Sequence, residues 1–168
     1  MIEIDGKKLS QEDVNSLLIQ ACHDGNLIKV VKCVEAYDAN VNCTDSLGYA
    51  KALVYALRSC MGKDSEGELI VKYLVNRGAE INFKHGDKGS NMDSRAYFIY
   101  HAANDTMHVS DDLVYFLVKK GAVSTLDYVP ITKRANANIS ALEEIRHNRP
   151  SLYDRLLKER LISSKNRK

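Results

Sequence analysis

Apolar residues in this chain recur mainly at helical spacing, in pairs of stripes parted by tight turns. Val14, Leu17, Leu18, Ala21 and Cys22 share one face, and Ser10 with Asp13 gives a capping-box signal ahead of them, so a helix is predicted over residues 11–23. Asp24, Gly25 and Asn26 make a turn, and Leu27, Val30, Val31 and Val34 begin a second stripe. Asp45, Ser46, Leu47 and Gly48 are a turn signal, followed by Ala50, Leu53, Val54, Ala56 and Leu57 and then a helix over residues 69–77. A third pair is predicted over residues 97–104 and in a helix capped by Asp111 or Asp112 and ending at Lys120. Ser140 with Glu143 is another capping box, and Pro150 suits the first turn of a last helix running to about Ile162. Polar residues gather at 61–67, 84–94 and 105–110, which read as loops. Residues 125–138 read as irregular around Pro130, and residues 163–168 as a frayed tail.

The second stripe of each pair is one phrase written three times. It runs Val31-Lys32-Cys33-Val34-Glu35-Ala36-Tyr37-Asp38-Ala39, then Val71-Lys72-Tyr73-Leu74-Val75-Asn76-Arg77-Gly78-Ala79, then Val114-Tyr115-Phe116-Leu117-Val118-Lys119-Lys120-Gly121-Ala122. The first two copies close alike, on Asn40-Val41-Asn42 and Glu80-Ile81-Asn82. The alanines stand 40 and then 43 residues apart, so one helix-turn-helix unit is reused, with a hairpin-like loop between units. Asp38 occupies the place of Gly78 and Gly121. A position of positive φ after a helix accounts for all three, because Gly meets no steric penalty there and Asp meets less than most residues. Each helix pair shows one apolar face that it can bury only against the next pair, which is the logic of a solenoid.

Composition narrows the function. A net charge of +2, from 24 basic and 22 acidic residues, gives no global field to draw nucleic acid or membrane. No apolar run approaches the ~20 residues of a bilayer span, and the N-terminus lacks the order of a secretory signal. Cys22, Cys33, Cys43 and Cys60 have no paired spacing for zinc or a dithiol, and are expected as reduced, mostly buried thiols in a cytoplasmic setting.

The repeated unit resembles the ankyrin repeat. The endings at residues 39–42 and 79–82 are similar to that family's Gly-Ala-Asp-Val-Asn close, and Gly121-Ala122 to its first half. Leu18-Ile19-Gln20-Ala21 with Gly25, Leu53-Val54-Tyr55-Ala56 and Ile99-Tyr100-His101-Ala102 resemble its Leu-His-x-Ala stretch. The resemblance covers residues 14 to 124, lacks the Thr-Pro-Leu-His tetrapeptide in every unit, and exceeds the ~33-residue period of the family, so the surplus falls in loops 61–67 and 85–94. It implies an all-α, ankyrin-type solenoid of three repeats plus a divergent C-terminal cap. The extension is residues 1–9 and the domain 10–162, divided at 10–42, 43–82, 83–124 and a capping repeat 125–162, with a basic tail at 163–168.

Chemistry-bearing patterns are sparse. His23, His85, His101, His108 and His147 form no ligand cluster, Ser90 lacks a Gly-x-Ser-x-Gly elbow, and Gly86 and Gly89 lack the Gly-Lys-Ser/Thr end of a phosphate loop. Cys60 reads as a core thiol. No catalytic residue, metal ligand or cofactor is expected. The resemblance implies a non-catalytic module that binds another protein by its concave face and loop tips. The expected contact residues are Asp45, Leu47, Tyr49, Tyr55, Arg58, His85, Asp87, Lys88, Tyr97, Tyr100, His101 and Asn104. Tyrosine suits such a face because it offers large area, few rotors and a polar tip. Packing between helices is the competing reading for each tyrosine. Two other functions stay open: a target-recognition segment of a larger enzyme, as in bacterial effectors acting in the host cytosol, and nucleic-acid or anionic-lipid binding by the basic C-terminus, whose alternative role is a soluble terminal face.

Overall fold

Caps and turns place the helices close to where the apolar stripes predict them. A computed structural model describes residues 2–4, 7–48, 50–62, 66–85, 96–104, 108–122 and 140–162, which are mostly helical. Tyr49, Asp87 and Lys88, most of loop 85–94, and segments 125–138 and 163–168 lie outside the described residues. The chain divides into two compact units, Met1–Glu80 and Ile81–Lys168. No helix among the described residues is long and apolar enough to cross a membrane.

The first unit opens with a hairpin, β1 (Ile2–Ile4) against β2 (Lys7–Leu9), antiparallel with Ile2 opposite Leu9. This hairpin is an addition to the expected extension, and its sequence signal is an Asp5-Gly6 pair between two short runs. Helix α1 (Gln11–His23) starts at a complete capping box: Asp13 N–H donates to Ser10 Oγ at 3.1 Å, and Ser10 N–H donates to the Asp13 carboxylate at 2.9 Å. Gly25, at φ 64°, turns the chain, and the Asn26 side chain caps α2 (Leu27–Glu35) through Lys29 N–H at 2.9 Å. Helices α3 (Ala52–Ser59) and α4 (Gly67–Asn76) follow. Helix α1 packs on α2 and α3, and α4 packs on α3 and α2. Val14, Leu18, Val30, Leu53, Leu57, Ile70 and Leu74 are wholly buried between them. Burying each side chain of this size stabilises the fold by roughly 1.5–3 kcal/mol.

The second unit pairs β3 (Lys84–His85) with β4 (Ala96–Tyr97), antiparallel. Helices α5 (Phe98–Ala103), α6 (Asp111–Lys119), α7 (Ala141–Asn148) and α8 (Pro150–Lys158) complete it. Phe98 stacks on Phe83 at 5.6 Å, and Ile99, Leu113, Leu117, Ile145 and Leu156 fill the interior. Helix α7 carries the second complete capping box, Ser140 with Glu143, and Pro150 opens α8.

Several boundaries differ from expectation for physical reasons. Tyr97 lies in β4 rather than opening α5, because Phe98 N–H is held by the Phe83 carbonyl at 3.1 Å and the helix begins only there. Ser110, not Asp111 or Asp112, caps α6 by accepting from Leu113 N–H at 3.2 Å. The two aspartates fall in the first turn, where their charge suits the helix dipole. Helix α4 begins at Gly67, two residues before the predicted start. Helix α8 ends at Lys158, short of Ile162, because Arg160 turns left-handed at φ 57° and Leu161 N–H closes on the Leu156 carbonyl at 3.0 Å.

The repeated phrase has a structural counterpart. Asp38, Gly78 and Gly121 all take positive φ, at 53°, 90° and 107°. Within the first unit, Asn42 Nδ2 donates to the Gly78 carbonyl at 3.2 Å while its Oδ1 accepts from Glu80 N–H at 2.8 Å. Within the second, Asn82 Nδ2 donates to the Gly121 carbonyl at 3.1 Å. The first copy of the phrase is served by α1 instead. Gln11 Nε2 donates to the Asp38 carbonyl at 3.0 Å, and Asn15 Oδ1 accepts from Asn40 N–H at 2.9 Å.

Candidate functional site: a loop tip and the α3 face

The turn at residues 45–48 is built by its own backbone. Thr44 and Lys51 form a β-bridge, Gly48 N–H donates to the Asp45 carbonyl at 2.8 Å, and Gly48 sits at φ 71°. Leu47 is left at the tip, 71% exposed. The Asp45 carboxylate ties this tip to α3: it accepts from Ala50 N–H at 3.2 Å and from the Tyr55 hydroxyl at 3.0 Å.

Tyr55 is therefore fixed, and its neighbours are polar. The Arg58 guanidinium lies 6.0 Å from the Tyr55 ring centre, within cation–π range, and the His23 ring of α1 lies tilted at 6.2 Å. His23 Nδ1 is 3.5 Å from the Asp24 carboxylate, which also accepts from Gln20 Nε2 at 2.7 Å. Burial, followed by the hydrogen bond to Asp45, pushes the Tyr55 phenol above its ordinary range, so it stays a neutral donor at physiological pH. The first unit thus brings together Asp45, Tyr55 and Arg58 of the expected contact residues, with Leu47 beside them in the chain.

His23 is not among the expected contact residues, and its ring lies beside Tyr55. A signal existed. Aligning Leu18 with Leu53 puts His23 in the column of Arg58 and Gln20 in the column of Tyr55, a polar column that continues on two adjacent helices of the first unit.

The remaining expected residues are arranged differently. For His85 and Tyr97 the β3–β4 pairing fixes the backbone, with Tyr97 opposite Lys84 and His85 opposite Ala96. Tyr100, His101 and Asn104 are half-buried on and just after α5, which packs against α7. Tyr100 meets the His101 ring edge-on at 5.8 Å, and burial, then the Glu144 charge, raises its phenol pKa. Glu144 is itself buried and accepts from Asn148 Nδ2 at 2.7 Å. The Glu144 charge on α7 thus reaches Tyr100 on α5. The hydroxyls of Tyr73 on α4 and Tyr115 on α6 donate to Glu35 and Glu159 at 2.5 Å each.

The thiols are chemically quiet. Cys22, Cys33 and Cys43 are buried, Cys60 is half-buried, and all four are free. Burial pushes all four upward, Cys43 and Cys60 to about 11. A thiol held protonated at neutral pH is a poor nucleophile and a poor metal ligand. Among the described residues, no group of three or more His, Cys, Asp or Glu side chains is placed to hold a metal ion.

No protein-family model matches the chain, and no curated protein matches it. The functional reading therefore rests on the residues themselves.

Proposed function

We propose that the chain is a non-catalytic protein-binding module of the ankyrin type, whose contact surface includes the 45–48 tip and the adjoining face of α3. The observation that carries the reading is Leu47, exposed at the end of a turn anchored through Asp45 to Tyr55, beside Arg58 and His23. A surface fixed before binding loses little conformational freedom on association, so its contact area converts more fully into affinity. Supporting the repeat reading are the positive φ at Asp38, Gly78 and Gly121 and the asparagine bonds from Asn42 and Asn82 to the last two of those positions. Neither a larger enzyme's recognition segment nor a nucleic-acid binder is favoured by a particular feature of the described residues.

The test is affinity capture with mass spectrometry, followed by titration of the captured protein against Leu47→Asp combined with Arg58→Glu. Both side chains are exposed, so the helical circular dichroism should be unchanged. Loss of at least about tenfold in affinity is expected for two residues at the centre of a contact. Unchanged affinity in the folded double variant would place the contact elsewhere.

A further inference from the structure

Each copy of the repeated phrase ends on backbone groups that need partners, and the second and third are served by an asparagine one copy upstream. The Asn42 amide donates to the Gly78 carbonyl at 3.2 Å and accepts from Glu80 N–H at 2.8 Å. The Asn82 amide donates to the Gly121 carbonyl at 3.1 Å. The first copy presents the equivalent groups at the Asp38 carbonyl and Asn40 N–H. Two side chains of α1 meet them: Gln11 Nε2 donates to the carbonyl at 3.0 Å, and Asn15 Oδ1 accepts from the N–H at 2.9 Å. Gln11 Nε2 also donates to Asn15 Oδ1 at 3.3 Å. The two amides are thereby joined into one fork, with the donor and the acceptor of a single asparagine.

The sequence places this fork in the first repeat alone. With Leu18 aligned on Leu53 and Ile99, the columns of Gln11 and Asn15 hold Ser46 and Ala50 in the second repeat and Met92 and Ala96 in the third. None of these carries an amide. Helix length agrees, since α1 has 13 residues and α3 has 8. In that alignment the surplus of α1 is at its N-terminus, where the second repeat has the 45–48 turn and the residues leading into α3. Gln11 and Asn15 stand on the added turns.

We propose that Gln11 and Asn15 terminate the repeat stack: they substitute in cis for the asparagine of a preceding repeat and close the upstream end to a further unit of the same kind. Stacked repeats need such a distinct terminal unit, because an ordinary one leaves its outward groups without partners. This role follows from the repeat reading of the chain and is independent of the contact surface at the 45–48 tip.

Two duplications of equal length test it in the full chain. The first runs from residue 1 to 51 and continues from 17 to 168, so the downstream copy lacks the fork and can take the amide of the upstream Asn42. The second runs from 1 to 44 and continues from 10 to 168, so the downstream copy keeps the fork. Peptides from α2 occur twice in each chain, and hydrogen exchange with mass spectrometry reads both copies together. The first duplication should give a single slow population. The second should give a slow and a fast one in equal amounts, the fast one from a helix pair left unstacked. A single slow population in both would overturn the terminator and leave the repeat reading standing. Two populations in both would remove the repeat reading as well. Point variants read the same fork without an added repeat. Asn15→Ala should speed exchange at the Asn40 amide at least about fivefold, whereas Asn15→Asp keeps the acceptor and should not. A mere change in helix propensity has the opposite sign, since alanine is the better helix former. Unchanged exchange at Asn40 in Asn15→Ala would also overturn the proposal.

Discussion

The first unit holds the ends of its helix pairs with neutral amides: Asn15 on Asn40, and Asn42 on Gly78 and Glu80. The second makes the same amide bond from Asn82 to Gly121, but rests the ends of α5 and α6 on a buried guanidinium. Arg149 Nε donates to the Ala103 carbonyl at 3.3 Å. One of its terminal nitrogens donates to the Val109 carbonyl at 3.0 Å and to Asp111 at 2.7 Å. The thiols divide as sharply, since all four cysteines precede residue 81. Helix ends leave carbonyls and N–H groups that need partners, and the second unit meets that need by adding a buried guanidinium to the amides.

The largest separation between the units should come from alkali. A thiol kept protonated by burial favours folding below its ordinary pKa, and that contribution disappears as pH rises through the raised value. Cys43 rises from 9.0 to about 11, and Cys22 rises further. The stability they contribute is therefore intact below pH 9 and declines from there toward pH 11. At pH 10 the loss is roughly 3 kcal/mol if both stay protonated in the fold, at about 1.4 kcal/mol per pH unit and thiol. Burial also raises the phenols of Tyr55 and Tyr73 in the first unit and of Tyr100 in the second, but the thiols belong to the first unit, so amide exchange should rise in α1–α4 before α5–α8. Simultaneous rise in both units would break the comparison.

Arg149→Leu should act the other way, on the second unit. It strands the Ala103 and Val109 carbonyls and leaves Asp111 without its partner, at a cost of about 2.5 kcal/mol. Arg149→Lys should recover only part of this, because one ammonium cannot reproduce the guanidinium fork. Denaturant titration followed by segment-resolved exchange reads both variants. Full recovery by lysine would show that charge alone, not the fork, holds these helix ends.

Helix positions were legible because each stripe had a punctuating residue beside it. Ser10 and Ser140 set N-termini that a reader can find, and the column Asp38, Gly78, Gly121 announced its own φ. What escaped were choices between adjacent candidates and contacts across elements. Ser110 and Asp111 are both good caps, and only the geometry at Leu113 decides between them. His23 looked solitary because its ring partner, Tyr55, lies 32 residues on. Tyr100 lies on α5, and sequence periodicity does not say that α7, more than 35 residues later, packs against that helix and brings the Glu144 charge to it. Arg149 carries no sequence signal of its role, because its place depends on where α5 ends and α6 begins.

The joints between helices give the finest contrast. In the second unit α5 passes to α6 through His108, at φ 52°, and the Ser110 cap. In the first, α3 reaches α4 by a close approach: a Cβ on Gly67 would lie 2.7 Å from Cys60 N, from Cys60 Sγ and from Ser59 Oγ. A serine hydroxyl can swing aside, but a backbone nitrogen moves only with its helix. Gly67→Ala should therefore destabilise the first unit by about 2 kcal/mol, despite alanine's better helix propensity. Gly48→Ala makes a sharper control than a surface change, because it has open space and only the strain of φ 71° to bear. That strain is worth roughly 1–2 kcal/mol. If Gly67→Ala is the milder of the two in thermal unfolding, crowding at Cys60 does not fix the α3–α4 joint. Amide exchange at Cys60 and Met61 then distinguishes a shifted α4 from an unmoved one.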